Sequence, residues 1–341
     1  MPYSPEQLDR AIAVLLGAAV GDALGAGYEF ETAPFTGQAE MIGGGLGDFA
    51  PYEWTDDTAQ TYCIAQAAAE FHDLRTEQAL DSIAAGFIRW FRSSPPDVGI
   101  QTRAVLTAAL NDTAPDATTR NSSAPKTPTA RQLTEAARQY SNQHRRSAGN
   151  GSLMRTSPVA LAHLGDAHAL VEAAYAVSEL THGDPLAAEA CAIWCLLIRE
   201  AVLLGGIPDP LQLLGYLPTT MAQDRWALYF AEADENPPTT FTPNGYVVTA
   251  VQAAWSAFRH TPIPPSDPKR HLVDSLNTAI GIGNDTDTVA SIAGALLGAR
   301  WGTAAIPAEW SDKVHGWGNT PNQTATGADL AVLASRILKT G

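Results

Sequence analysis

The sequence predicts an all-α protein, on the evidence of its apolar spacing, its alanine content and the position of its helix breakers. Apolar residues recur at helical spacing in most long segments, for example at Ile83, Phe87 and Trp90, whereas alternating strand-like runs are scarce. Prolines cluster between these segments, as at Pro95 and Pro96, where loops are expected to join helices. We therefore expect a protein built of helices joined by loops.

Length and charge limit the function classes. The chain has 341 residues, of which 45% are hydrophobic, so it can bury a large core in one large domain or two modest ones. Its formal net charge of -15 argues against a broad electrostatic surface for nucleic acid or anionic membrane. A substrate that carries phosphate would need a local binding site.

Two apolar runs predict buried helices. The run from Ala11 to Val20 is not preceded by a basic segment, so a core helix is favoured over a signal peptide. The run from Ala187 to Leu204 contains Cys191 and Cys195, which together with Cys63 give an odd count and no disulfide framework. No run reaches the roughly 20 apolar residues of a membrane span. We expect a soluble, cytoplasmic protein that acts as a monomer.

One polar segment interrupts the helical pattern. Residues 111–130 have low hydrophobicity and are rich in Pro, Ser and Thr, which is typical of a surface excursion within a domain. A lid that covers the substrate is the functional alternative, since long loops in compact domains often carry function. The whole chain, 1–341, is expected to form a single domain with this excursion.

The first acidic motif stands directly before a helix. Thr55, Asp56 and Asp57 precede the helical pattern of residues 59–71. Helix capping alone would explain the motif, because Thr55 or Asp56 can accept hydrogen bonds from free backbone N–H groups, and acids suit the N-terminal end of the helix dipole. Binding of a metal ion is the functional alternative.

The second acidic motif has the same arrangement. Asp285, Asp287 and Thr288 lead into an apolar helical pattern, and they offer more capping groups than one helix needs. Carboxylate and hydroxyl oxygens are the ligands that Mg²⁺, Mn²⁺ and Ca²⁺ prefer. An EF-hand is excluded, because Ala290 and Leu296 stand where that loop needs Gly and Glu. Zinc is disfavoured, because no Cys or His pair has finger-like spacing.

Several glycine-rich motifs carry further candidates. Glu29 follows closely spaced glycines at 21, 25 and 27, which can serve either close helix packing or a site. Gly43 and Gly44 belong to a loop that can offer N–H groups to phosphate, although it matches neither a P-loop nor GxGxxG. The segment 149–158 combines turn residues with an arginine, and Ser157 before Pro158 is expected to cap a helix.

Five motifs, GDALGAGYEF, WTDDTAQ, GNGSLMR, THGDP and GNDTDTVASIAGALLGA, occur in this order along the chain. Together they resemble the ADP-ribosylglycohydrolase family, from about residue 10 to residue 305. The resemblance implies a compact, all-α, orthogonal helical bundle with a binuclear Mg²⁺ or Mn²⁺ centre at the base of a cleft. It also implies a hydrolase that cleaves an N- or O-glycosidic bond at C1'' of the distal ribose of ADP-ribose.

The resemblance also assigns residues. The implied metal ligands are Glu29, Thr55, Asp56, Asp57, Asp285, Asp287 and Thr288. The implied wall of the ADP-ribose cleft contains Gly149, Asn150, Gly151, Ser152, Met154, Arg155 and His182. Gly43, Gly44, Gly281 and Gly283 are further candidates for substrate contact. Asp57 or Glu29 is expected to act as the catalytic acid or base, and the sequence does not separate these two roles.

Three functional hypotheses stay open at this stage. The protein is expected to release ADP-ribose from a modified protein or nucleobase. The alternatives are a metal-dependent hydrolase of another nucleotide or sugar, and a non-catalytic ADP-ribose-binding relative. Retention of the expected ligands Glu29 and Asp287 argues against the last alternative. The identity of the acceptor is not predicted, and the polar segment 111–130 leaves the rim of the cleft undefined.

Overall fold

The computed structural model describes residues 3–112, 127–318 and 320–339, so most of the polar segment 111–130 lies outside the described residues. The α-helices are α1 Pro5–Gly25, α2 Asp56–Phe71, α3 Glu77–Arg92, α4 Ile100–Asp112, α5 Ala130–Gln143, α6 Ser157–Ala162, α7 Ala167–Glu179, α8 Pro185–Leu204, α9 Thr220–Glu235, α10 Val247–His260, α11 His271–Ile280, α12 Thr286–Trp301, α13 Ala308–Lys313 and α14 Gly327–Lys339. The prediction of an all-α fold is confirmed.

A short hairpin is the part of the fold that the sequence did not indicate. Strand β1, His315–Gly318, pairs antiparallel with β2, Thr320–Thr326, and His315 lies opposite Thr326. These strands are short and are interrupted by Gly and Pro, so they do not form a run that can be recognised as a strand. Trp54 of the loop before α2 donates its backbone N–H to His315, which fixes the hairpin beside α2.

Helices α1 and α12 pack antiparallel at unusually close range, and this contact organises the core. A Cβ atom added to Gly21 would lie 2.1 Å from the carbonyl oxygen of Ala290, and one added to Gly17 would lie 2.3 Å from that of Gly294. Such separations are possible only where glycine lacks a side chain. The glycines of α1 therefore serve helix packing, and they bring the end of α1 to the start of α12.

The long helix α1 lies inside the protein. The segment Pro5–Glu31 has the length and mean hydropathy, 1.6, of a helix that could cross a membrane. However, 94% of its most apolar 18-residue stretch is buried within the fold. The expectation that no segment is long and apolar enough to cross a membrane was therefore wrong for the length and mean hydropathy of this segment. A core helix passes the same test, because burial against other helices also selects apolar residues.

Two smaller expectations concern helix ends and cysteines. Helix α6 begins at Ser157 with Thr156 at the N-cap, and the buried Ser157 hydroxyl has no hydrogen-bond partner among the described residues. The expected capping by Ser157 is therefore wrong, since the helix begins one residue earlier. Cys191 and Cys195 are buried on α8 as free thiols, as expected for a helix core.

Candidate metal centre and substrate cleft

Three carboxylates from distant parts of the chain meet at one point. Glu29, Asp285 and Asp287 each place a carboxylate oxygen within 4.8 Å of the others. Glu29 follows α1, and the two aspartates stand at the start of α12, so the α1–α12 packing is what assembles the group. The structure thus joins the first glycine-rich motif to the second acidic motif.

A kink after α1 directs Glu29 into this cluster. Glu29 leaves the helical conformation, with ψ at 130°, and Phe30 adopts a φ of 44°. The backbone N–H of Phe30 donates to the carbonyl oxygen of Asn284 at 2.7 Å, which ties the kink to the loop before α12. A positive φ is uncommon for a residue other than glycine, and such strained positions cluster at functional sites.

The start of α2 supplies the neighbouring carboxylates. The Thr55 hydroxyl caps α2 by accepting from the Asp57 N–H, so neither aspartate is needed as the cap. Asp56 accepts a hydrogen bond from Gln60 at 3.0 Å, and Thr288 donates to Asp57 Oδ2 at 3.4 Å. Asp57 Oδ1 is buried and has no hydrogen-bond partner in the part of the chain that the structure describes. A buried carboxylate oxygen without a partner calls for a ligand such as a cation.

Asp22 holds the N-terminus of α2 in place, although the sequence motifs assigned it no role. It is fully buried on α1, where it accepts hydrogen bonds from the Thr55 N–H and the Thr58 N–H, both at 2.9 Å. Burial raises the pKa of Asp22 to about 6. Its place within the Gly21–Asp22 pair was visible in the sequence, but its partners lie more than 30 residues away.

The carboxylates of this cluster lie close together and repel one another. Burial is the main cause that raises the pKa of Glu29 to about 9, and repulsion from Asp285 is the second. Burial also raises the pKa values of Asp56, Asp57 and Asp287 well above their ordinary range, with neighbouring acids adding to the effect. In the described ranges none of these groups forms an ion pair with Lys or Arg. The donor set therefore fits hard divalent cations, which would neutralise this charge.

A cleft of about 460 Å³ opens onto the acidic cluster. Its described wall includes the predicted site residues Glu29, Asp56, Gly149, Asn150, Gly151, Met154, His182, Asp285, Asp287 and Thr288. Asn150 donates to Asp285 Oδ2 at 2.7 Å and to the Asn244 carbonyl oxygen at 3.1 Å. Asn150 thereby orients one carboxylate and ties the Gly149–Gly151 loop to the segment that contains Asn244.

Arg155 and Ser152 lie beneath the cleft, contrary to the expectation that they line it. The Arg155 side chain is fully buried, stacks 4.3 Å above the Phe87 ring and donates to Gln60 and Thr181. Gln60 in turn bonds Asp56, so Arg155 supports the acidic motif from below. Ser152 is buried and accepts from the Ser178 hydroxyl at 2.9 Å. Both side chains therefore make interior contacts, although Arg155 Nε has no hydrogen-bond partner among the described residues.

The remaining glycine candidates also lie away from the described wall of the cleft. Gly43 and Gly44 have positive φ, and Gly44 pairs with Phe49 in a tight turn. Gly281 packs beside Phe35 in a different depression, and the Gly283 carbonyl oxygen accepts from Asn244. Direct substrate contact does not follow from these positions, because each glycine serves a turn or a loop contact.

The structure adds Asp97 and Asn244 to the site. Asp97 lines the cleft from the loop between α3 and α4, where the sequence showed only a proline-rich connection. Burial raises the pKa of Asp97, and repulsion from Asp285 raises it further. Asn244 accepts from the Asp285 N–H at 3.0 Å. Neither residue stands in a motif, so only the tertiary fold shows their place.

The comparisons with known proteins agree with this architecture. The chain is 28% identical over 320 residues to the ADP-ribosylarginine hydrolase Tri1 of Pseudomonas putida (strain GB-1), covering 91% of this chain and 76% of that protein. It is 29% identical over 315 residues to the ADP-ribosyl-[dinitrogen reductase] glycohydrolase of Rhodospirillum rubrum, covering 91% and 92%. A solved structure titled "ADP-ribosylglycohydrolase-related protein complex" matches with a TM-score of 0.69 and 26% identity, over 98% of this chain and 99% of that one.

A sequence model of ADP-ribosylglycohydrolase matches residues 3–341, which is nearly the whole chain. The fold and the acidic cluster at the base of a cleft are those that the resemblance implied. The relatives share one reaction type, the removal of ADP-ribose from an acceptor. The chain therefore belongs to the ADP-ribosylglycohydrolase family and is a glycosidic hydrolase that releases ADP-ribose from a modified acceptor.

Proposed function

We propose that this protein hydrolyses the N-glycosidic bond between ADP-ribose and an arginine side chain, with two Mg²⁺ or Mn²⁺ ions at the acidic cluster. The observation that carries the proposal is the convergence of Glu29, Asp285 and Asp287 within 4.8 Å at the base of the cleft. The arginine acceptor is supported by the name of the Pseudomonas putida relative, an ADP-ribosylarginine hydrolase. Action as a cytoplasmic monomer stays a prediction.

The residues that would hold the cations come from both acidic motifs. Glu29, Asp285 and Asp287 form one set, and Thr55, Asp56, Asp57 and Thr288 form the adjoining set. When bound, the cations would supply Lewis acidity and would fix the position of the ribose hydroxyls and the attacking water. Asp57 Oδ1 supports the assignment, because it is buried without a hydrogen-bond partner among the described residues.

The side chains around the cluster position the substrate and the proton acceptor. The Gly149–Gly151 loop and His182 form a wall against which the ADP half can lie. Asn150 holds Asp285 in one orientation, so that reacting groups meet in a fixed geometry, which can supply a large part of the acceleration. Asp57 or Glu29 takes the proton from water, while the departing nitrogen of arginine leaves as a neutral or protonated guanidine.

The test of this function is ADP-ribose release from arginine-, serine- and nucleobase-linked substrates in Mg²⁺, Mn²⁺ or EDTA. We expect metal-dependent release from the arginine substrate, and its loss in Asp285→Ala. Asp274→Ala is a suitable control, because Asp274 lies on α11 and pairs with surface Arg270 outside the cleft. Release from the serine or nucleobase substrate alone would contradict the arginine assignment.

A second experiment separates the roles of Asp57. In Asp57→Asn the shape of the side chain is kept, but the ability to accept a proton is lost. Loss of turnover with both cations retained would assign proton transfer to Asp57. Loss of turnover together with one cation would make Asp57 chiefly a ligand and would leave Glu29 as the proton acceptor. Metal content by mass spectrometry and turnover are measured on the same sample.

A further inference from the structure

A second cavity adjoins the substrate cleft on the far side of the acidic motif. Its volume is about 310 Å³, and it lies between the loop before α2, the loop after α3 and the β1–β2 hairpin. Its wall contains Trp54, Trp90, Trp317, Glu53, Asp56 and Asp97. The acidic motif at the start of α2 contributes Trp54 and Asp56 to this cavity, but the proposed function places no ligand in the space itself, which we call the hairpin pocket.

Two carboxylates connect the hairpin pocket to the cleft. Asp56 and Asp97 line both cavities, so the boundary between the cavities is the acidic centre itself. If the ADP-ribose half lies in the cleft with its distal ribose at the carboxylates, the group attached to C1'' extends from that boundary. The hairpin pocket is the adjoining space that can receive this group.

The chemistry of the wall favours a planar cation. Indole faces attract guanidinium groups by cation–π interaction, and carboxylates bind them through paired hydrogen bonds. The described wall contains Glu53, Asp56 and Asp97 but no Lys or Arg. A nucleobase could also stack on tryptophan, but the phosphates of a nucleic acid would meet these carboxylates and a chain of net charge -15.

The pocket also contains hydrogen-bond donors without partners. The indole N–H groups of Trp54 and Trp317 are buried, and neither has a partner among the described residues. Trp54 is only 1% exposed. Buried donors are normally satisfied, so these two N–H groups are unmet polar groups in the wall of the pocket, and only a polar group that enters the pocket itself can satisfy them.

We propose that the hairpin pocket binds the arginine side chain of the ADP-ribosylated acceptor. This inference rests on the proposed function. In the reaction water adds to C1'', the bond from C1'' to the guanidine nitrogen breaks, and one proton of the water passes to that nitrogen. The product guanidinium then lies between the Trp317 ring and the Glu53 carboxylate until it leaves. The hairpin, through Trp317, determines which acceptors the enzyme accepts.

The test uses ADP-ribosylated agmatine as substrate and agmatine, its guanidinium product, as probe. Trp317→Ala should raise the KM for the substrate about tenfold and weaken agmatine binding by a similar factor. The affinity for free ADP-ribose, measured by calorimetry, should not change, because ADP-ribose occupies only the cleft. Trp317→Phe keeps an aromatic face and should recover most of the agmatine affinity.

A second variant tests the negative charge of the pocket without the risk of unfolding the protein. Glu53→Gln keeps a side-chain oxygen that can accept the hydrogen bond from the Ala50 N–H, but it removes one negative charge from the pocket. It should weaken agmatine binding while the melting temperature stays close to that of the wild type. If Trp317→Ala is unfolded, Glu53→Gln decides the question alone.

The outcomes for the pocket and for the proposed function are distinguishable. Unchanged KM and agmatine affinity in both folded variants would overturn the assignment of the pocket but leave arginine hydrolysis intact. Failure of the wild type to release ADP-ribose from any arginine substrate would overturn the proposed function, and direct agmatine titration would then still test the pocket. Preferred release from a nucleobase substrate that depends on Trp317 would replace the arginine assignment by base stacking.

Discussion

Asn150 connects two parts of the site that are 135 residues apart in sequence. Its amide donates to Asp285 Oδ2, and partners that orient a metal ligand affect affinity or activity by about 10- to 100-fold when removed. Asn150→Ala is therefore expected to lower turnover and cation affinity by such a factor without unfolding the protein. The measurement is a Mn²⁺ titration with turnover at saturating Mn²⁺. Asn236→Ala, which removes a helix-end hydrogen bond far from the cleft, is the control.

His182 makes the stability of the protein depend on pH. Burial lowers its pKa from 6.5 to about 3, so the folded protein keeps this ring neutral while the unfolded chain takes up a proton below pH 6.5. Stability is thus fully present above pH 6.5 and falls as the pH decreases towards 3. We expect a loss of about 2 kcal/mol at pH 5 from this group.

The variant His182→Asn isolates this contribution. Urea unfolding of wild type and variant between pH 7.5 and pH 5 should show a shallower decline for the variant, by about the same 2 kcal/mol. Other buried histidines, such as His163 and His271, contribute equally to both proteins and cancel in the difference. Parallel declines would mean that His182 is protonated in the folded state.

At the scale of elements, the α1–α12 contact determines whether the site assembles. Gly21→Ala places a Cβ 2.1 Å from the Ala290 carbonyl oxygen, so the helices must separate. Overpacking of this kind costs about 1–3 kcal/mol, and it moves Asp22 and Glu29 away from their partners. We expect a lower melting temperature together with a loss of turnover. Gly165→Ala has no atom within 4 Å of the added Cβ and serves as control. Equal stability of the two variants would refute the close-packing argument.

Part of the fold and of the candidate site could be predicted from the sequence. Helical periodicity predicts α1, α2, α8 and α12, and the two acidic motifs stand at the starts of α2 and α12 as predicted. Local patterns carry this information, because periodicity and capping depend on neighbours in the chain. The role of Arg155 could not be predicted in this way. Its place under the cleft depends on Phe87 and Gln60, and long-range packing of that kind leaves no mark on local sequence.

At the scale of the whole molecule, the buried acids couple metal binding to folding. Repulsion among Glu29, Asp57 and Asp287 opposes the folded state unless protons or cations neutralise it. A cation that binds only the folded protein adds about 2.7 kcal/mol at a concentration of 100 times its Kd. For a chain of 341 residues this corresponds to a rise in Tm of a few degrees.

Calorimetry at pH 7.5 with Mg²⁺, Mn²⁺ or EDTA measures this coupling directly. The wild type should melt at a higher temperature with either cation than with EDTA, and the difference should disappear in Asp285→Ala. In EDTA the variant should be as stable as the wild type or more stable, because one of the repelling charges is gone. An identical Tm for the wild type with cation and with EDTA would mean that the acids are neutralised by protons, and that the cluster does not hold a metal under these conditions.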